Sequence, residues 1–115
     1  MLQEEGKEVQ AINYIFCSDK YLLDLNKDHL NHDTYTDIIT FELSGPKQAL
    51  LADIYVSVER VRENAKIFRQ PFSKELLRVM FHGALHLAGY KDKFKTDSEL
   101  MRKMEDKWLL KYRST

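Results

Sequence analysis

Residues 50–68 read LLADIYVSVERVRENAKIF, and the hydrophobic period changes inside this stretch. Leu50 to Ser57 are apolar, β-branched and aromatic, the composition of a strand. From Val58 onward the apolar residues fall at Val58, Val61, Ala65 and Phe68. That is a narrow stripe at helical spacing, with Arg60, Arg62, Glu63 and Lys66 outside it. Upstream of the switch the chain reads as strands. Val9 to Cys17 is apolar on both alternations and reads as a buried strand. Ser18 or Asp19 can cap a short helix carrying Leu22, Leu23 and Leu25 to about Leu30. Asp37 to Leu43 sets Ile39, Phe41 and Leu43 against Thr40 and Glu42, a strand with one polar side. Gly45-Pro46 breaks it and suggests a hairpin with Leu50–Ser57. Downstream the chain reads as helices. Gln70-Pro71 ends the first, and Ser73 is expected to cap the next, which is apolar nearly all round and so belongs in the middle of the domain. Thr96-Asp97-Ser98-Glu99 reads as a capping box opening a last helix with core face Leu100, Met101, Met104 and Trp108. The expected fold is α/β (α+β), a small mixed β-sheet packed with helices.

The size and composition fit one domain. A chain of 115 residues with 43% hydrophobic residues can bury a core. No run approaches the roughly 18 apolar residues of a membrane span, and the acidic start MLQEEGKE has no signal-peptide core. The single cysteine, Cys17, cannot form an internal disulfide and is expected to be a buried free thiol. These features suit the cytoplasm. The net charge of zero hides an asymmetry. Residues 1–59 hold 4 basic and 11 acidic residues (net −7), whereas residues 60–115 hold 14 and 7 (net +7). The two halves either attract each other across the fold or present a basic surface to a polyanion.

The chemistry concentrates in Phe81-His82-Gly83-Ala84-Leu85-His86-Leu87-Ala88-Gly89-Tyr90-Lys91-Asp92. The i, i+4 spacing puts both imidazoles on one face of the central buried helix, one turn apart, where they can share a metal ion. Without a metal they would be core histidines needing separate hydrogen-bond partners. Asp92, just past the Gly89 helix stop, is either a third ligand or an exposed loop acid. Three protein ligands leave a coordination position open, as in catalytic sites. Gly83 follows His82, so the H-E-x-x-H motif of the zincin proteases is absent. Its missing side chain lets backbone or substrate approach closely. One divalent metal is expected. Zinc leads, with manganese, iron or nickel as alternatives because a carboxylate hardens the ligand set. Asp37 and Asp53 could orient an imidazole or line the cleft, or could simply cap or pair at strand ends. Arg60, Arg78, Lys91, Lys93 and Lys95 could contact phosphates or be solvated surface charge.

The segment from His82 to Tyr90 resembles the H-G-x-L-H-L-x-G-Y hallmark of the YbeY family, bacterial metal-dependent endoribonucleases. Thr36-Asp37-Ile38-Ile39-Thr40-Phe41 resembles that family's T-D-V-L-S-F strand, and Ala52 to Ser57 its G-D-I-x-I-S strand. Met101 and Glu105 match the M-x-x-x-E of its last helix. The resemblance runs from about Asn13 to Trp108. It implies a sheet-and-helix fold, a metal held by the hallmark residues, and single-strand-specific endoribonuclease action in ribosomal RNA processing, at the 3′ end of the small-subunit RNA and in ribosome quality control. The implied partners are rRNA and the ribosome or small-subunit factors, with no membrane. The hallmark's ligands fall on His82, His86 and Asp92, the last being histidine in the family, and Lys91 replaces its usual acid. The family's activity-linked arginine falls on Leu30, so a basic residue elsewhere would have to substitute. The implied domain spans residues 1–115 without the family's usual first strand and helix, which could leave a sheet edge exposed. A metal-dependent peptidase or other hydrolase, and a weakly catalytic ribosome-associated factor, are the alternative readings.

Overall fold

The structure is a computed structural model. It describes residues 1–2, 4–30, 36–91 and 93–114, with the backbone alone for residues 29–30 and 113–114. Its elements run β1 (Val9–Cys17), α1 (Asp19–Leu30), β2 (Ile38–Glu42), β3 (Leu50–Ser57), α2 (Val58–Ile67), α3 (Phe72–Leu87) and α4 (Lys95–Ser114). The expected α+β architecture is the one observed. The three strands order as β1-β3-β2. β1 lies parallel to β3, and β2 is antiparallel to it, with Ile38 opposite Val56 and Glu42 opposite Ala52. The hairpin reading of β2 and β3 therefore holds. Among the described residues no helix is long and apolar enough to cross a membrane.

β3 is central because it is apolar on the face that meets the helices. Leu50, Ala52, Ile54 and Val56 are all buried there. They pack with Val61 of α2 and with Val79, Ala84 and Leu87 of α3. Each such large side chain contributes about 1.5–3 kcal/mol when removed from water. A second cluster, Leu85, Met101 and Trp108, joins α3 to α4. α3 thus carries two apolar faces, one for the sheet and α2, one for α4. That is why its sequence reads as apolar nearly all round.

Ser57 ends β3 and caps α2, its Oγ accepting from Arg60 N at 3.1 Å and donating to Asp19 Oδ1 at 2.9 Å. Ser18 caps α1 by accepting from Tyr21 N. α3 ends in a Schellman turn. Tyr90 N donates to Leu85 O and Gly89 N to His86 O, both at 3.0 Å, with Gly89 at φ +105°. That conformation favours glycine, and Tyr90 packs back on the Leu85 cluster.

Several sequence expectations change. Ser73 does not cap α3. The helix starts at Phe72 with Pro71 in the cap position and no side-chain cap bond, proline's fixed φ and missing N–H suiting a helix start. The Thr96 capping box is also displaced, since α4 already begins at Lys95 and Ser98 N donates to Phe94 O. Leu100 is 48% exposed, and Glu105 takes a place on the buried side of α4 instead. Cys17 is only half-buried. Burial, and secondarily the Asp19 charge, pushes its thiol pKa up.

Candidate metal centre

From Glu75 onward α3 is apolar except for one stripe. Glu75, Arg78, His82 and His86 follow one another at spacings of three and four residues, so they share a face. Within it His82 Nε2 and His86 Nε2 point at each other across 3.0 Å. The other ring nitrogen of His82, Nδ1, meets Glu105 Oε2 of α4 at 2.7 Å. A carboxylate at that distance takes the Nδ1–H, which puts the lone pair of the ring on Nε2, the atom that faces His86. Glu105 is itself held by Arg78, whose Nη1 donates at 3.1 Å to Oε1, while Nη2 donates to Asp106 at 2.6 Å. Burial alone would lower the Arg78 pKa, but the hydrogen bonds to Asp106 and Glu105 outweigh it and hold the guanidinium charged.

The donor set fits a divalent cation. Two nitrogens 3.0 Å apart subtend roughly 90–100° at an ion bound about 2.0–2.1 Å from each. One imidazole already has the carboxylate partner that typically orients a ligating histidine. Among the described residues no three His, Cys, Asp or Glu side chains converge as a complete site. Asp92, the expected third ligand, lies outside the described residues.

Two cavities meet at the wall formed by Asp37 and His82. The larger, about 610 Å³, runs between His82 and His86 and the cleft side of β2, with Ile38, Thr40 and Glu42. The polar side of β2 is thus the cleft wall. The smaller, about 460 Å³, opens on the Glu105 side of His82. Burial raises the pKa of Asp37, an effect that His82 partly offsets.

The remaining expected residues fall in different places. Asp53 is not in the cleft. It pairs with Asn13 Nδ2 at 3.1 Å on the opposite face of the sheet, because strand alternation turns it away from Ala52 and Ile54. Arg60 Nη2 donates to Asp19 Oδ2 at 2.7 Å, tying the starts of α1 and α2 together. Arg78 serves Glu105 and Asp106. Lys91, Lys93 and Lys95 are exposed around the α3–α4 turn. Leu30 ends α1, and its side chain lies outside what is described. Gly83 makes room for the sheet and not for a substrate. A Cβ there would lie 2.7 Å from Ile38 Cδ1 and 3.2 Å from Ile54 Cγ2. The orienting role of Glu105 was missed from sequence. Its signal was an acid four residues after Met101, on the apolar side of α4.

The family model described as Endoribonuclease YbeY matches residues 1–113 of this chain. A protein named Endoribonuclease YbeY from Flavobacterium psychrophilum is 53% identical over 109 residues, covering 95% of this chain and 77% of its own length. Its namesake from Cytophaga hutchinsonii is 49% identical over 104 residues, covering 90% and 73%. The solution structure of TM1509 from Thermotoga maritima superposes with a TM-score of 0.65 at 36% identity, covering 98% of this chain and 77% of that one.

Proposed function

The chain belongs to the YbeY endoribonuclease family, and from that premise we propose that it is a metal-dependent hydrolase cutting single-stranded RNA during ribosomal RNA processing. The observation that carries the reading is the pair of Nε2 atoms 3.0 Å apart, with the Nδ1 of His82 already engaged by Glu105. We assign His82, His86 and Asp92 as the protein ligands, with zinc as the first ion to test and manganese, iron or nickel after it. The ion, when bound, supplies Lewis acidity at the scissile phosphate.

The chain's own groups account for the rest. Glu105 fixes the His82 ring and its tautomer, and Arg78 fixes Glu105. Asp37 and Glu42 give the larger cavity, where the histidine pair lies, acidic walls that repel a bare phosphodiester. RNA binding therefore depends on positive charge brought to the histidine pair and on cations at the rim. Lys91, Lys93 and Lys95 are the rim cations of this reading, on the turn that follows α3 and at the first residue of α4. The family's arginine is replaced by Leu30, so cleavage is expected to be slow. The ribosome or its small-subunit factors are the proposed partners, and the cytoplasm the proposed compartment.

One observation favours a second reading. β2 is an edge strand, and its residues line the cavity beside the histidines, where an extended peptide could pair with it. Incubation with single-stranded RNA, structured RNA and a peptide library, with and without chelator, separates the two. Chelator-sensitive cleavage of single-stranded RNA, abolished by His82→Ala with His86→Ala, is expected. Cleavage of peptides alone would replace the RNA reading by the peptidase one.

A further inference from the structure

The smaller cavity contains a group that the metal centre does not use. Glu75 lies on the same stripe of α3 as His82 and is only 6% exposed, yet it accepts no side-chain hydrogen bond from any described residue. Burial raises its pKa, with the Arg78 and Arg102 charges acting in the opposite direction. Among the described residues the one side-chain oxygen or nitrogen that is both sealed from solvent and without a partner is Ser44 Oγ, so the Glu75 carboxylate is not sealed off: its stem is buried and its oxygens stay open to a ligand in the cavity.

Its neighbours supply that ligand's other contacts. Phe68, at the end of α2, also lines this cavity. It is 52% exposed and makes no ring contact with another described aromatic residue. Asn64, one turn earlier on α2, brings an amide with no partner among the described residues. Arg102 of α4 brings a positive charge to the same space. An open aromatic ring, a carboxylate fixed in the cavity wall, an amide and a guanidinium are the components with which proteins hold a splayed-out RNA base. The ring stacks, the polar groups read the Watson–Crick edge, and the cation meets phosphate. The volume, about 460 Å³, lies in the ~300–1,000 Å³ range of small-ligand pockets.

We propose that this cavity is a nucleobase subsite for the nucleotide next to the scissile phosphate, and that Glu75 selects guanine. The inference rests on the RNA reading given above. Guanine presents two adjacent donors, N1–H and the N2 amino group, which two carboxylate oxygens can accept together. Uracil, cytosine and adenine each place an acceptor or a single donor there. The position follows from the shared wall: Asp37 and His82 line both cavities. A strand with its phosphate at the histidine pair can turn one adjoining base into the Glu75 cavity.

The test is a binding titration of the whole chain with the 5′-monophosphates of guanosine, adenosine, cytidine and uridine. The phosphate is common to all four, so its binding at the histidine pair cancels from the comparison. Guanosine monophosphate should bind about 5- to 100-fold more tightly than the others, the discrimination of one good bidentate pair. Glu75→Gln, nearly the same shape, should remove that preference and leave the thermal melt intact. Phe68→Ala, at an exposed site, should weaken all four by a similar factor without reordering them. Equal binding of the four nucleotides by the wild-type chain would overturn the proposal, as would an unchanged guanine preference in a folded Glu75→Gln protein. Neither measurement requires strand scission, so the subsite can fail while RNA cleavage stands. Equally, cleavage can be absent while base selection is observed.

Discussion

Glu105→Ala should damage the metal centre and the fold together. Glu105 is 5% exposed and accepts from both His82 Nδ1 and Arg78 Nη1, so its loss takes the partner from two half-buried donors. Removing one member of a buried hydrogen-bonded charge pair costs about 3–5 kcal/mol. Asp106 still holds the other side of Arg78 at 2.6 Å but is 59% exposed, so it compensates only in part. A loss near the lower bound, about 3 kcal/mol, is expected, a large share of the ~5–15 kcal/mol stability of a domain. For the metal, losing the carboxylate that orients a ligating histidine costs about 10- to 100-fold in affinity, or ~1.4–2.7 kcal/mol. Urea unfolding of the metal-free protein measures the first effect, and competition against a chelator of known affinity measures the second. Glu105→Gln keeps an oxygen for the Nδ1–H, so its affinity loss should be smaller. A Glu105→Ala protein with wild-type unfolding midpoint and wild-type metal affinity would refute the orienting role.

Four further outcomes follow from the same structure. Gly83→Ala gains about 1 kcal/mol of helix propensity but meets Ile38 and Ile54, an overpacking cost of ~1–3 kcal/mol. A net loss of about 1 kcal/mol in urea unfolding is expected, because the Ile38 methyl can swing aside, and a net gain would show that α3 does not press on the sheet. Tyr14 donates to Met80 O, and burial pushes its pKa up to about 12, so one of the six tyrosines should titrate last in an ultraviolet absorbance titration. The unfolded chain releases that proton first, near its ordinary value of about 10, so stability should fall as pH rises from 10 towards 12. RNA binding should weaken steeply with salt as phosphate contacts release counterions, and salt-independent binding would argue against the rim lysines. Leu30→Arg should raise the RNA turnover rate at constant metal content if the missing arginine limits catalysis. A stable Leu30→Arg protein with unchanged turnover would place that function elsewhere.

The sequence by itself determined the element order and the paired histidines on one helix face, because both depend on local periodicity. The switch from strand to helix at Ser57–Val58 is a change of period readable along a few residues. The i, i+4 spacing of His82 and His86 fixes their common face once a helix is assumed. Gly89 was legible as a stop because its backbone conformation is one other residues avoid. Helix starts were less legible, since Pro71 and Lys95 precede the residues that looked like caps. Whatever joins separate elements required the tertiary structure. The Glu105–His82 contact spans α4 and α3, and the Asp19–Arg60 pair spans α1 and α2. The second has no local sequence signal, and for the first the acid on the apolar side of α4 does not say which residue it meets. Asp37 and Asp53 looked equivalent in sequence. Asp37, just ahead of β2, lies on the cleft wall, while alternation along the paired strand β3 turns Asp53 to the opposite face. Arg78 read as a free cation until packing brought two carboxylates of α4 against it. A charge's role depends on what lies across from it, and that is decided by packing at distances the sequence does not encode.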